Sequence, residues 1–264
     1  MRSFYLKQEK AFLRYFDLPG DEPVCVYLHG LGCAASSDFP PVAARPPLNR
    51  RRSLLIDFLG FGYSDRPASF SYSLEDHART AARLLDHLGL KSCAVIGHSM
   101  GGSVAITLAA ERPDLVLALV AAEPNLDPGV GEVSAQIAAY SEEDYLTAGH
   151  RAILRAAVLE ALRGDTALAA YAASFHLAAP YAVHRSAVGL LRGTRPSMRE
   201  NLIRLDLPRA LVFGQLNLPD PDQDRLPRHG VDVLVIPRAG HAMMEDDPAA
   251  FARIVGGWLE GAGR

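Results

Sequence analysis

Ser99 lies in a stretch whose residue types and spacing are typical of nucleophilic catalysis, Gly-His-Ser-Met-Gly from Gly97 to Gly101. The apolar run Cys93 to Ile96 before it predicts a buried strand, and residues 100–111 after it have the composition of a helix. A G-x-S-x-G motif between a strand and a helix predicts a strained turn, residues 97–101, that lifts the serine hydroxyl above the strand ends. The first free N–H groups of the helix point at the same space, so we expect the N–H of Met100 to stabilise an oxyanion.

A serine nucleophile needs a base at neutral pH, and the base needs an orienting acid. Of the nine histidines, His241 lies in a loop between a predicted strand and the last predicted helix, where Gly240 permits a sharp turn. We therefore expect His241 to be the base. The turn that follows the predicted strand Val24 to Leu28 leaves backbone N–H groups free, and the N–H of Leu31 is the expected second oxyanion donor. We expect His29 to tie down that turn rather than to take part in the chemistry.

Alternating strands and helices surround these residues, which predicts an α/β fold with a mostly parallel sheet and a site at the carboxyl ends of its strands. Turn-forming residues at 17–23 and the basic run 50–52 predict loops. From residue 124 to residue 203 no buried-strand pattern occurs, alanine dominates and helical patterns follow one another. We expect this helical insertion, 124–203, to act as a lid over a core made of 1–123 and 204–264. The predicted strands are 4–6, 11–16, 24–28, 53–58, 93–96, 115–122, 210–213 and 231–236. The predicted helices are 74–88, 100–111, 133–140, 142–163, 166–177, 181–191 and a last one from Pro248.

Composition narrows the possible functions further. The chain has 264 residues, 49% of them hydrophobic, and a net charge of −3, so nothing in it favours nucleic acid or an anionic membrane as a partner. We expect a cytoplasmic protein, because no apolar run could span a bilayer, the start of the chain has no signal-peptide pattern, and three cysteines fit a reducing compartment. We expect no metal and no organic cofactor, since there is no cysteine and histidine cluster and no G-x-G-x-x-G after the first predicted buried strand. The oligomeric state does not follow from the sequence.

The order of these motifs resembles the α/β-hydrolase superfamily. The similarity rests on His29-Gly30 after a strand, Gly97 to Gly102 as GHSMGG, the helical insertion, and the late pair Gly240-His241. The resemblance implies an eight-stranded sheet in which only the second strand is antiparallel, a triad of serine, acid and histidine, and an oxyanion hole made of two backbone amides. On this chain those roles correspond to Ser99, His241, Leu31 and Met100.

The triad acid is where this chain departs from the superfamily's usual pattern. Most relatives place an aspartate just after the strand that follows the lid, and this chain has Asn217 there. Glu123 ends the strand before the helical insertion, and the resemblance offers a precedent because some members carry the acid at that location. Glu123 is therefore the expected acid and Asp220 the alternative. A carboxylate that merely anchors the insertion is another interpretation of Glu123.

These residues predict a serine hydrolase that cleaves a small to medium carboxylic ester through an acyl-enzyme on Ser99. The superfamily also opens lactones and hydrolyses carbon-carbon bonds with the same triad, so both reactions remain alternatives. A third possibility is a ligand-binding sensor protein with weak turnover. Ser99 argues against haloalkane dehalogenase or epoxide hydrolase activity, since those relatives need an aspartate at that position. Tyrosines and a phenylalanine in the helical insertion favour an apolar pocket, but no motif there identifies the substrate.

Overall fold

The apolar runs of the sequence form one sheet of eight strands in the order β1-β2-β4-β3-β5-β6-β7-β8. The computed structural model describes residues 1–262. Strand β2 is antiparallel to both of its neighbours, and every pairing from β4 to β8 is parallel. The predicted sheet, with a single antiparallel second strand, is therefore confirmed. The strands are β1 (Arg2–Leu6), β2 (Ala11–Leu18), β3 (Asp21–Leu28), β4 (Arg51–Asp57), β5 (Cys93–His98), β6 (Val116–Ala122), β7 (Arg209–Gly214) and β8 (Asp232–Ile236).

Helices cover both faces of the sheet. The helices are α1 (Ala35–Asp38), α2 (Pro40–Ala43), α3 (Leu74–His87), α4 (Met100–Glu111), α5 (Glu132–Ala138), α6 (Glu142–Asp144), α7 (His150–Ala161), α8 (Thr166–Leu177), α9 (Pro180–Arg192), α10 (Met198–Arg204), α11 (Asp222–Arg225), α12 (Met243–Asp246) and α13 (Pro248–Ala262). One buried cluster packs α3, α4 and the inward side of the helical insertion against one face, and a second packs α1, α2, α12 and α13 against the other. All six residues of β5 are buried, as expected of a parallel strand covered on both faces.

Two predicted loops are wrong, and an ion pair joins the two segments. Strand β2 continues to Leu18 and β3 already begins at Asp21, so most of the predicted turn 17–23 is strand. Strand β4 begins at Arg51, inside the basic run that predicted a solvated loop. The guanidinium of Arg52 donates to Asp17, with Nε 2.9 Å from Oδ1, and this pairing lets both charged residues occupy adjacent strands.

The segment between β6 and β7 is helical, as predicted, but one predicted helix is broken. Residues 142–163 form α6, a π-helical turn at Tyr145–Gly149, and then α7. The wide turn buries Tyr145, whose hydroxyl lies 3.2 Å from Nδ1 of His150. Helix α10 was not predicted, although Ser197 and Glu200 form the capping box that could have revealed it.

Within residues 1–262, no helix has the length and apolarity needed to cross a membrane.

Asp57 holds the loop after β4 against the segment that follows β3. Its Oδ1 accepts from the Ser36 amide at 2.9 Å, and its Oδ2 accepts from the Ser36 hydroxyl at 2.8 Å and the Tyr63 amide at 3.0 Å. Asp57→Ala leaves these donors unpaired near the core, so we expect the free energy of unfolding to fall by about 3 kcal/mol in urea denaturation. Asp65→Ala is the control, because Asp65 is half-exposed and accepts one backbone hydrogen bond, from Phe12. Equal losses for both variants would contradict a bracing role for Asp57.

Candidate active site

Ser99 forms the whole turn between β5 and α4. Its backbone has φ 53° and ψ −120°, a conformation that costs energy for any residue other than glycine. A Cβ atom at Gly97 would lie 2.2 Å from the carbonyl oxygen of Gly101, and one at Gly101 would lie 2.2 Å from that of Leu28. Only glycine therefore fits at either side of the serine. The predicted turn of five residues is wrong in extent, because β5 continues to His98 and α4 begins at Met100.

The two expected oxyanion donors flank the serine. Met100 is the first residue of α4, so its N–H has no acceptor inside the helix. Leu31 belongs to residues 29–33, here called the oxyanion loop, which follow β3. A Cβ atom on Gly30 would lie 3.4 Å from Cβ of Ser99, which places this loop directly against the nucleophile. The structure thus brings both segments to Ser99, and their role as donors stays a prediction.

The His241 ring lies against the carboxylate of Glu123. Nδ1 of His241 is 2.6 Å from Oε2 of Glu123, and the side chains are 54% and 11% exposed, respectively. The acid is thus shielded while the imidazole faces the solvent side, where a substrate can reach it. Ser99 Oγ forms no hydrogen bond to the imidazole within residues 1–262. Such contacts are often long in ligand-free enzymes and shorten only when substrate is bound.

Three further hydrogen bonds, from two donors, hold the carboxylate of Glu123. Its Oε1 accepts from the Gly214 amide at 2.9 Å, and Nδ2 of Asn217 lies 2.8 Å from both carboxylate oxygens. Glu123 also has a positive φ of 41°, so the chain turns sharply where it leaves β6. The asparagine at the superfamily's usual acid position is therefore a partner of the carboxylate. Sequence reasoning treated Asn217 only as a missing acid and did not predict this contact.

These contacts keep Glu123 ionised. Burial by itself would raise the pKa of the Glu123 carboxyl, but hydrogen bonds from His241, Asn217 and the Gly214 amide outweigh burial and hold the pKa below its usual value. A carboxyl whose pKa falls on folding stabilises the fold at pH above the ordinary carboxyl range. That stabilisation is lost as the pH drops through the lowered pKa.

The alternative acid, Asp220, lies elsewhere. Its Oδ1 accepts from the Asp222 amide at 2.7 Å and so caps its own turn before α11. In the described part of the chain it forms no hydrogen bond with His241. The structure therefore brings Glu123, and not Asp220, to the imidazole.

Two buried histidines support the loops around the site. Nε2–H of His98 donates to the backbone oxygen of His241 at 2.8 Å, which ties the elbow to the histidine loop. Burial lowers the pKa of His98 to about 3, and His241 adds a smaller effect in the same direction, so His98 stays neutral. His29 accepts from the Phe58 amide through Nε2 at 3.0 Å, and its Nδ1–H donates to the Gly30 oxygen at 2.8 Å. Both histidines hold backbone in place, and for His29 this is the role expected from the sequence.

Helix α8 of the helical insertion covers the oxyanion loop. Gly32 has φ 76°, and a Cβ atom there would lie 2.5 Å from the Phe175 ring and 3.1 Å from the Tyr171 hydroxyl. The Phe175 ring is fully buried and stacks on His150, with ring centroids 4.4 Å apart. The inward face of α8 therefore packs against the loop that contacts Ser99. No three His, Cys, Asp or Glu side chains between residues 1 and 262 are grouped so that they could hold a metal ion.

Comparison with known proteins adds three findings of similarity. Haloalkane dehalogenase 2 of Mycobacterium tuberculosis is 40% identical over 72 residues, which are 27% of this chain and 25% of that protein. A thermophilic esterase from Thermogutta terrifontis has a TM-score of 0.81 at 22% identity, over 96% of this chain and 95% of that one. The enol-lactonase from Burkholderia xenovorans LB400 also has a TM-score of 0.81, at 21% identity, over 98% of this chain and 100% of that one. At these identities the two structures show a common fold and nothing finer.

The matching stretches span 25% to 38% of the length of such curated relatives. The family model described as "alpha/beta hydrolase fold" matches residues 23–164, which is more than half of the 264 residues. That range contains Ser99, Glu123 and the oxyanion loop. The chain therefore belongs to the alpha/beta hydrolase fold family.

Proposed function

We propose that this protein is a serine hydrolase that cleaves small to medium carboxylic esters through an acyl-enzyme. The observation that carries the proposal is the 2.6 Å contact between His241 Nδ1 and Glu123 Oε2. This contact lies beside the strained turn of Ser99, because His98, the residue before the serine, donates a hydrogen bond to the backbone oxygen of His241. An acid and a base in contact beside a raised hydroxyl are the groups that acyl transfer requires.

In the proposed mechanism, Ser99 Oγ attacks the ester carbonyl carbon while Nε2 of His241 takes the hydroxyl proton. Glu123 stabilises the imidazolium through Nδ1–H. The N–H groups of Leu31 and Met100 donate to the oxyanion, and a donor of this kind lowers the barrier by about 3 kcal/mol. The tetrahedral intermediate collapses, the C–O bond to the alcohol breaks, and His241 returns the proton to the leaving oxygen. Water then repeats the sequence on the acyl-enzyme and releases the carboxylic acid.

Lactone opening and carbon-carbon bond hydrolysis are the alternative reactions. A lactone needs the same steps, except that the leaving alkoxide stays attached to the acyl group. The serine at position 99 supports acyl chemistry over dehalogenation, which needs a carboxylate nucleophile at that position.

The test combines covalent labelling with a series of p-nitrophenyl esters of increasing acyl length. We expect a fluorophosphonate to label the wild type once, with no labelling of Ser99→Ala, and hydrolysis to be fastest for short or medium acyl groups. Ser103→Ala is the matched control, because Ser103 lies in α4, the helix that follows Ser99, and its hydroxyl donates to the Asn125 carbonyl at 3.1 Å. It should be labelled like the wild type.

Two outcomes would contradict the proposal. A wild type that is labelled but inert on every ester would favour the carbon-carbon or lactone reaction. A wild type that is neither labelled nor active, yet is thermally stabilised by an apolar ligand, would favour a sensor.

A further inference from the structure

The hydroxyl of Tyr171 is buried and has no hydrogen-bond partner among residues 1–262. Tyr171 lies on α8, and its oxygen is 3.1 Å from the point where a Cβ atom of Gly32 would stand. Its ring packs against that of Phe175 one helical turn later, with centroids 5.4 Å apart. The helical insertion therefore presses an unpaired hydroxyl against the oxyanion loop.

Other tyrosines near the insertion have partners. The hydroxyl of Tyr145 lies 3.2 Å from His150 Nδ1, that of Tyr72 donates to the Pro67 oxygen at 2.9 Å, and that of Tyr181 donates to the Arg66 oxygen at 2.6 Å. Buried polar groups in folded proteins are almost always paired, and an unpaired one destabilises the fold. Tyr171 is thus unusual in this part of the molecule, and its hydroxyl lies against the loop that carries the expected oxyanion donor Leu31.

Further unpaired polar atoms lie near the oxyanion loop. They belong to a polar cluster that we define as Cys33, Asp38, His98 and Glu245. Asp38 Oδ2, His98 Nδ1 and Glu245 Oε2 are buried without partners within the described residues. Cys33 Sγ and His98 Nδ1 lie 3.5 Å and 3.3 Å from the position of a Gly30 Cβ, so the cluster adjoins the nucleophile.

The polar cluster carries little negative charge. Burial, and after it the neighbouring Glu245, raises the pKa of Asp38 well above its usual value, so Asp38 keeps its proton. Burial raises the pKa of Glu245 to about 7. Burial, followed by the nearby carboxyls, also raises the pKa of the Cys33 thiol. The polar cluster beside Gly30 therefore consists mainly of uncharged hydrogen-bonding groups, and the hydroxyl of Tyr171 lies beside Gly32 of the same loop.

We infer that Tyr171 donates a hydrogen bond to an uncharged oxygen on the acyl part of the substrate. The preferred substrates are then esters whose acyl group bears an ether, hydroxyl or carbonyl oxygen near the scissile carbonyl, rather than plain aliphatic esters. This inference rests on the proposed ester hydrolysis and names its substrate class. An aliphatic acyl group would leave the hydroxyl unpaired, whereas an oxygen acceptor pairs it at the moment of binding.

In the free protein the unpaired hydroxyl lowers stability. The inference therefore also predicts a change in melting temperature. Tyr171→Phe keeps the ring and removes only the oxygen, so the melting temperature should stay the same or rise while selectivity is lost. Tyr145→Phe is the matched control. It also removes one buried hydroxyl of the insertion, but that hydroxyl is paired with His150, so the melting temperature should fall and selectivity should stay.

The experiment compares p-nitrophenyl butanoate with the methoxyacetate, and the pentanoate with the 3-methoxypropanoate. Within each pair one CH₂ group is replaced by an oxygen of similar size. Within each pair, kcat/KM for the oxygen-containing ester is divided by kcat/KM for the alkyl ester, for the wild type and for both variants. Comparing this ratio between proteins cancels the intrinsic reactivity of the esters. We expect Tyr171→Phe to lower the ratio about tenfold in at least one pair, as for one lost hydrogen bond, and Tyr145→Phe to leave both ratios unchanged.

Unchanged ratios in both pairs for Tyr171→Phe would overturn the inference. An equal loss on both members of each pair would also overturn it, because the hydroxyl would then contact the scissile carbonyl itself. A wild type inactive on all four esters would refute the proposed function and the inference with it. A wild type that is active but shows no effect of Tyr171→Phe would refute the inference alone.

Discussion

Glu123→Gln is expected to lower kcat by three to four orders of magnitude, since replacing the triad acid by an amide costs about ten-thousandfold in a serine protease. A glutamine can still accept from the Gly214 amide through its oxygen, so the fold should persist. It cannot stabilise an imidazolium, and its NH₂ group can donate to Nδ1 of His241, which would hold the ring in the wrong tautomer. Initial rates on the best p-nitrophenyl ester, with circular dichroism melting as a check on folding, measure the effect.

Asp220→Asn is the control for this prediction. Its carboxylate caps a local turn through the Asp222 amide, so kcat should stay near the wild-type value. If Asp220→Asn is the crippled variant and Glu123→Gln is active, our assignment of the acid is wrong. If neither variant loses activity, the reaction uses neither Glu123 nor Asp220 as the acid.

We expect that the acid can be moved to position 217, in the turn that follows β7. Because Nδ2 of Asn217 lies 2.8 Å from both oxygens of Glu123, a side chain at position 217 reaches the point from which His241 is held. In the Glu123→Gln background, adding Asn217→Asp should therefore raise kcat about a hundredfold over the single variant, a partial recovery of the roughly ten-thousandfold loss. In the wild-type background the same change places two carboxylates in contact and should reduce stability near neutral pH.

Gln215→Asp in the Glu123→Gln background is the matched control for the relocated acid. Residue 215 lies in the same short helical turn, but its side chain accepts from the Arg238 amide at 2.9 Å and is not bonded to the carboxylate. It should give no recovery. Equal recovery from both double variants would show that any added negative charge suffices, and no recovery from Asn217→Asp would show that position 217 cannot hold the imidazole.

Much of the fold could be predicted from local pattern. Continuous apolar runs in the sequence predicted the buried strands, and helix α4 was predicted with its observed bounds. Ser73 is a local helix-start signal, since it caps α3 by accepting a hydrogen bond from the Asp76 amide. The nucleophile and the base were also predictable. A G-x-S-x-G motif after a strand identifies Ser99, and Gly240 permits the sharp turn that positions His241 after a strand. Loop and strand boundaries were less predictable, since an ion pair such as Arg52 with Asp17 brings charged residues into a sheet.

The remaining features depend on contacts between distant residues. Asn217 and Glu123 are 94 positions apart in the sequence. No local pattern indicates that the side-chain amide of Asn217 binds the carboxylate of Glu123. The π-helical turn at Tyr145–Gly149 likewise accompanies burial of the Tyr145 ring and does not follow from helix propensity. The unpaired hydroxyl of Tyr171 results from the packing of α8 on the oxyanion loop, which no local pattern specifies.

The location of Glu123 has a consequence for how binding and chemistry communicate. The carboxylate belongs to the residue at which the chain leaves β6 for the helical insertion, so one residue is both the root of the insertion and the partner of the imidazole. Because this residue anchors both, a displacement of the insertion at its first residue would also displace the carboxylate that orients the imidazole. The geometry of the acid is thus tied to the same chain segment that covers the oxyanion loop.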